Sequence, residues 1–239
     1  MLFTPKRLLI IAHMRTGATF LTHCLDSHPD VYCARTEPLN RLSLWSKIEP
    51  FDYRMDAVLA QVGYKVCGMK LTYGHVDDDV WQYARQNRCV FIHHVRENVV
   101  RSEVSNTLRQ QRKEGRTNYP THIVTASRRI SPATLDAAEL VANCRRHRRE
   151  EQNMTAWLAA TGLPVLRTTY AQIVGGEEVE ARCIPTLPAQ RICKFLDIEE
   201  LPLISRMRKV NVYSMKSIVS NWAEVRAALA ETEFAGMVQ

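Results

Sequence analysis

The order of apolar and amphipathic segments predicts an α/β domain built on a parallel sheet with helices on both faces. Short continuous apolar runs of strand length recur along the chain, and segments of helical periodicity separate them. No internal repeat and no Gly/Ser- or Pro-rich linker divides the chain, so residues 1–239 read as a single domain.

Arg7–His13 is the first strand, unbroken and apolar from Leu8 to Ala12, as in a strand buried on both faces. Thr19–Ser27 has helical spacing, and a short second strand precedes Arg35. Arg54–Val62 reads as helix, Tyr64–Leu71 as a more amphipathic strand, and Val76–Gln86 as helix again. Cys89–Val95 is the next strand; Asn98–Arg112 and a long segment from Pro132 to Thr161 are helical. Leu163–Thr169 is a weaker strand. Beyond it lie a helix at Pro188–Leu196, a basic stretch Arg206–Lys216 and a last helix Ile218–Ala230. Strand and helix alternate, which calls for right-handed crossovers. Arg109–Tyr119, rich in Arg, Gln, Gly and Asn, reads as a surface loop.

The chain has 239 residues, 46% hydrophobic and 24% charged, and its mean hydropathy is −0.24. That is enough for one α/β core and excludes disordered and fibrous classes. Lys and Arg number 32 against 25 Asp and Glu, a net charge of +7 that implies an anionic partner: nucleic acid, a membrane surface or a phosphorylated small molecule. No run approaches the ~18 apolar residues of a membrane span. Leu8–Ala12 is too short for a signal-peptide core and leads into His13 and Arg15, so the expected compartment is the cytoplasm. The seven cysteines form no CxxC pair and no His/Cys zinc spacing; they read as buried thiols, and no metal is predicted.

The richest segment is the turn after the first strand, His13 to Leu21. A tight turn holding one glycine, with hydroxyl residues opening a helix, makes an anion site, because free backbone N–H groups converge there with the positive end of the helix dipole. Arg15 adds a mobile cation. The pattern GxxxxGK[ST] is absent, since Gly17 stands alone and no lysine follows it.

Arg15, Thr16, Gly17, Ala18, Thr19 and Phe20 resemble the 5′-phosphosulfate loop of sulfotransferases that use 3′-phosphoadenosine 5′-phosphosulfate (PAPS), with Ala18 in place of the commoner Ser or Thr. A second segment, Arg96 to Ser105, is similar to the strand-to-helix segment where that family binds the nucleotide's 3′-phosphate through an Arg and a Ser. Arg96 and Ser105 are the matching pair. Asn98 replaces the common Pro and the Ser falls one residue later, a form resembling the bacterial branch that includes nodulation-factor and glycolipid sulfotransferases. Weaker likenesses follow in order: Arg35 to Pro38, Gly68 to Tyr73, Thr168 to Gln172 with Ala171 replacing Glu, Arg191 to Ile198, and Ile218 to Val225.

The resemblance, which runs from about Arg7 to Ala235, implies a three-layer P-loop-like fold with four to five parallel strands. It also implies transfer of a sulfuryl group from PAPS to a hydroxyl or amine of a carbohydrate, lipid or small natural product, releasing adenosine 3′,5′-bisphosphate. Charge develops on the leaving phosphate oxygen, where Arg15 and the backbone of residues 16–19 can neutralise it. The acceptor must lose a proton. Glu37, at the carboxyl end of a strand beside the loop, is the first candidate base; His93 and His94 are the second. Lys70 is read either as neutralising the sulfuryl oxygens or orienting Glu37, or as one half of a structural ion pair. Lys216, with Arg206, Arg208 and Lys209, could close over the nucleotide. Arg145–Arg149 circles more than a full helical turn, so it reads as a solvated stripe paired with Glu150 and Glu151, with a docking patch for an acidic acceptor as the alternative.

Two other classes remain to be weighed. A P-loop kinase or nucleotide hydrolase needs a Lys-Ser/Thr after the glycine and an acidic strand end for magnesium, and a basic nucleic-acid-binding protein needs an aromatic-studded groove or a known module. None of these features is present in the sequence.

Overall fold

The computed structural model describes residues 4–35, 51–115, 132–176, 181–206 and 213–238. The strands are β1 (Lys6–Ala12), β2 (Val31–Cys33), β3 (Val66–Thr72), β4 (Val90–Val95) and β5 (Val165–Thr169). They form a five-stranded sheet in the order β2-β3-β1-β4-β5, with every pairing parallel. The helices are α1 (Ala18–Leu25), α2 (Phe51–Leu59), α3 (Asp78–Gln86), α4 (Val99–Lys113) and α5 (Ala137–Ala159). After β5 come α6 (Tyr170–Val174), α7 (Thr186–Leu196), α8 (Met215–Ile218) and α9 (Trp222–Ala230). The expected α/β three-layer architecture is the one observed.

Strand alternation sorts the core into two layers. Leu8, Ile10 and Ile92 pack with Phe20, Leu21 and Leu25 of α1 and Ile192 and Leu196 of α7. Leu9, Ile11, Met69, Leu71 and Phe91 face the other way, onto Met55 and Leu59 of α2, Val80 and Tyr83 of α3, and Leu158 of α5. Each fully buried Leu, Ile or Phe contributes roughly 1.5–3 kcal/mol of apolar transfer. A third cluster is purely helical: Val99, Val100, Val104 and Leu108 of α4 pack on Leu140 and Cys144 of α5, Ile218 of α8, and Val225 and Leu229 of α9. It fixes where α4 lies relative to the sheet.

The structure revises two expected helices and one loop. The segment expected as one helix from Ile218 to Ala230 is broken, and the long helix expected from Pro132 begins only at Ala137. One cause accounts for both changes. Ala133 N donates to Ile218 O (3.0 Å) and Ser220 N to Ala133 O (3.0 Å), while the Asn221 amide clamps Leu135 N (3.0 Å) and Leu135 O (2.8 Å). Both backbones are spent on each other, so α5 starts only at Ala137, capped by Asp136, whose carboxylate accepts from Glu139 N at 2.9 Å. The two expectations that overlap at 109–112, helix to Arg112 and loop from Arg109, resolve in favour of the helix, which runs to Lys113, and residues 116–119 lie outside the described residues.

Cys24, Cys33, Cys67, Cys89, Cys144 and Cys193 are buried thiols as expected, and Cys183 is exposed. Among the described residues no helix is long and apolar enough to cross a membrane.

Phe91 is fully buried in β4 and meets Trp81 edge-on at 6.3 Å. Phe91→Ala is expected to lower the unfolding free energy by about 3–5 kcal/mol in urea titration, with an unchanged m-value. A loss below about 1 kcal/mol would contradict this account of the second layer.

Candidate functional site

At the carboxyl edge of the sheet the chain leaves β1 through His13, Met14, Arg15, Thr16 and Gly17 and enters α1. Two residues bend it through left-handed backbone, Arg15 (φ 65°) and Gly17 (φ 89°). Gly17 is required twice. Its φ favours glycine, and a Cβ there would lie 2.8 Å from the Tyr170 ring.

The loop's carbonyls are held from behind. Thr16 Oγ1 donates to His13 O (2.8 Å), Arg96 Nη1 to Arg15 O (3.1 Å), and His94 Nε2 to Thr16 O (2.9 Å). With the carbonyls turned inward, α1 opens on a glycine with no side-chain cap and no acidic residue in its first turn. Its leading N–H groups are therefore available to an external anion.

His94 is fully buried. Its Nε2–H serves Thr16 O, so Nδ1 accepts from Thr168 Oγ1 at 3.0 Å. Burial is the main cause that lowers its pKa to about 4, and His93 and Arg96 add to the effect. His93 is likewise buried, bonded through Nε2 to the Tyr73 hydroxyl at 2.8 Å and lowered to about 4 by burial and then by Arg167. His94 is thus bonded at both ring nitrogens, and His93 at Nε2.

The segments after β1 and after β4 meet at this loop. Arg15 Nε donates to Ser105 Oγ at 3.0 Å, joining the loop to α4. Arg96 is buried, its guanidinium 4.2 Å from the centroid of the Tyr170 ring. On the helix that follows, the Glu103 carboxylate turns to His147 at 2.8 Å. Lys70 Nζ donates to Thr19 Oγ1 at 2.9 Å, which puts the lysine of β3 at the start of α1. Ser102, one turn before Ser105, has a buried hydroxyl without a protein partner.

Phe20, the last residue of the expected loop set, faces inward. Its ring is in the core beneath the loop and its N–H donates to Gly17 O at 2.9 Å. Lys216 is exposed on α8; its segment is tied to α4 where Arg101 Nη2 donates to Tyr213 O at 3.3 Å. Glu37, Arg208 and Lys209 lie outside the described residues.

Arg145–Arg149 is not uniformly a solvated stripe. Arg146 and Arg148 do face Glu150 and Glu151, each at 3.9 Å, while Arg145 pairs with Glu233 at 3.2 Å. His147 points inward at 2% exposure, because one position in a run of five on this helix must face the sheet. It stacks on His13 with ring centroids 3.6 Å apart. His13 also bonds Glu150 Oε2 at 3.1 Å and meets Tyr73 edge-on at 5.6 Å. Burial, then His147, pushes the His13 imidazole below its ordinary pKa, and burial raises the Tyr73 phenol. Sequence reading missed this cluster and Tyr170. A usable signal was that His13, Tyr73 and His93 each continue the same alternating face of their strands at the carboxyl edge.

No protein-family model matches the chain, and no curated protein does. Solved structures do resemble it. A sulfotransferase from Alicyclobacillus acidocaldarius aligns over 98% of this chain and 95% of its own at 13% identity, with a TM-score of 0.51. The sulfotransferase domain from the curacin biosynthetic pathway aligns over 82% of this chain and 75% of its own at 12% identity, with a TM-score of 0.48. At such identities the likeness is one of fold.

The neutral imidazoles set a pH dependence. An unfolded His titrates near 6.5 and His94 in the fold near 4, so within this window the unfolded chain binds the extra proton. Stability is expected to fall as the pH drops from about 6.5 to about 4, and His94→Gln to flatten that slope in urea midpoints. Parallel slopes for the variant and the parent would refute the assignment.

Proposed function

We propose that this protein is a sulfotransferase that moves a sulfuryl group from PAPS to a hydroxyl or amine of a carbohydrate, lipid or small natural-product acceptor, releasing adenosine 3′,5′-bisphosphate. The observation that carries the reading is the meeting of two sequence segments, far apart in the chain, at one loop. Arg15 bonds Ser105, and Arg96 bonds the carbonyl of Arg15. The sulfotransferase fold of the structural neighbour agrees with it.

In this reading the N–H groups of residues 16–19 and Arg15 receive the 5′-phosphosulfate, and Arg96 with Ser105 takes the 3′-phosphate. A guanidinium engages two phosphate oxygens at once, and a helix N-terminus favours the anion. As the sulfur–oxygen bond to the phosphate breaks, negative charge grows on the bridging oxygen, where Arg15 and the loop N–H groups lower its energy. Lys70, held at Thr19, neutralises the sulfuryl oxygens, and Lys216 closes over the nucleotide. Glu37 takes the acceptor's proton as its oxygen or nitrogen attacks in line. No metal is required for these steps.

Adenosine 3′,5′-bisphosphate is expected to raise the Tm, and Arg96→Ala to abolish that rise, each measured against the protein's own ligand-free Tm. A larger rise with ATP-magnesium that is indifferent to Arg96 would favour a P-loop kinase instead. Glu37→Gln is expected to keep bisphosphate binding and lose transfer from labelled PAPS by about 10²–10⁴-fold, the usual worth of a general base. Retained turnover would remove Glu37 from that role.

A further inference from the structure

We propose that His13, His147 and Glu103 form a binding site for a borderline divalent transition-metal cation of the Zn²⁺ type. The three residues come from the end of β1, from α5 and from α4, and their ligand atoms lie within 4.8 Å of one another. Both Nδ1 atoms converge on one carboxylate oxygen: His147 Nδ1 is 2.8 Å and His13 Nδ1 3.9 Å from Glu103 Oε1. Those separations straddle the ~3.3 Å between neighbouring ligand atoms when metal bonds are about 2.0–2.1 Å long in a tetrahedron. Two imidazoles and one carboxylate suit zinc, and three protein ligands leave a fourth position open.

Charge and hydrogen bonding both call for a cation here. Glu103 is 2% exposed, and its ion-pair partners among the described residues are these two histidines alone. A buried carboxylate needs a compensating positive charge. On His13, Nε2 faces Glu150 Oε2 at 3.1 Å while Nδ1 faces Met14 O at 3.2 Å. A neutral ring has one proton for these two oxygens. With the proton on Nε2, Glu150 becomes the outer carboxylate that orients a metal-bound histidine, and a cation on Nδ1 satisfies the other side. The rings stack 25° from parallel, so binding opens the stack and replaces the His147–Glu103 hydrogen bond.

None of the three side chains has a role in the transfer reaction proposed above, and the site is tested without it. Full-length protein stripped with EDTA is titrated with ZnCl2 by calorimetry in a Cys183→Ser background, which removes the exposed thiol, with Tm followed in parallel. One saturable equivalent and a raised Tm are expected for Zn²⁺, and neither for Mg²⁺. His147→Ala and Glu103→Gln should abolish binding, and Glu150→Gln should weaken it about 10–100-fold. Should the buried variants fail to fold, His13→Gln decides, since its side chain lies at the rim and is 11% exposed. Absence of saturable binding, equal affinity in His13→Gln, or an equal response to Mg²⁺ would overturn the proposal.

Discussion

The shape of the turn after β1 depends on its carbonyl groups being bonded from behind. Thr16, Arg96 and His94 each take one carbonyl of the loop, and those donors come from the loop itself and from β4 with the turn that follows it. A backbone reversal at the end of a parallel strand has polar groups on both sides. Binding its oxygens inward leaves its N–H groups outward, so a strand-to-helix turn becomes a preorganised cradle. The two left-handed residues are tolerated because surrounding bonds over-determine the path.

The helical cluster extends that arrangement. Packing of Val99, Val100, Val104 and Leu108 on α5, α8 and α9 sets the axis of α4, and the axis sets where Ser105 and Glu103 point. Ser105 meets Arg15 beside the cradle, and Glu103 meets His147. One helix thus serves both contacts. The clamp between residues 133–135 and 218–221 fixes the α5 start and the α8–α9 break together, so the same rigid unit presents both groups.

Most of the sheet was legible because its strands are buried on both faces and therefore read as unbroken apolar runs. Leu8–Ala12 and Val90–Val95 needed no tertiary knowledge. The loop was legible because Arg15, Thr16 and Gly17 place a cation, a hydroxyl and a glycine where a strand gives way to a helix. Helix ends near Pro132 and Ile218 were not, since hydrogen bonds across the chain override local periodicity there. His147 was hidden for another reason: amid four arginines its composition speaks for solvent, and only the phase of α5 against the sheet turns it inward. Its partners His13 and Glu103 sit in separate segments, so no spacing announces them. Tyr170 stands in the sequence only within the weak likeness Thr168 to Gln172, and its ring acquires meaning only across the fold, against Gly17 and Arg96.

That last contact has an evolutionary consequence. Residues 17, 96 and 170 share one small volume: a glycine without room for a methyl group, an aromatic ring that fills the space, and a guanidinium resting on that ring. A larger residue at 17 demands a smaller one at 170, and a smaller one at 170 strips Arg96 of its platform. The three positions are therefore epistatic, and drift elsewhere in a diverging lineage can erase overall identity while this trio changes together or stays as it is.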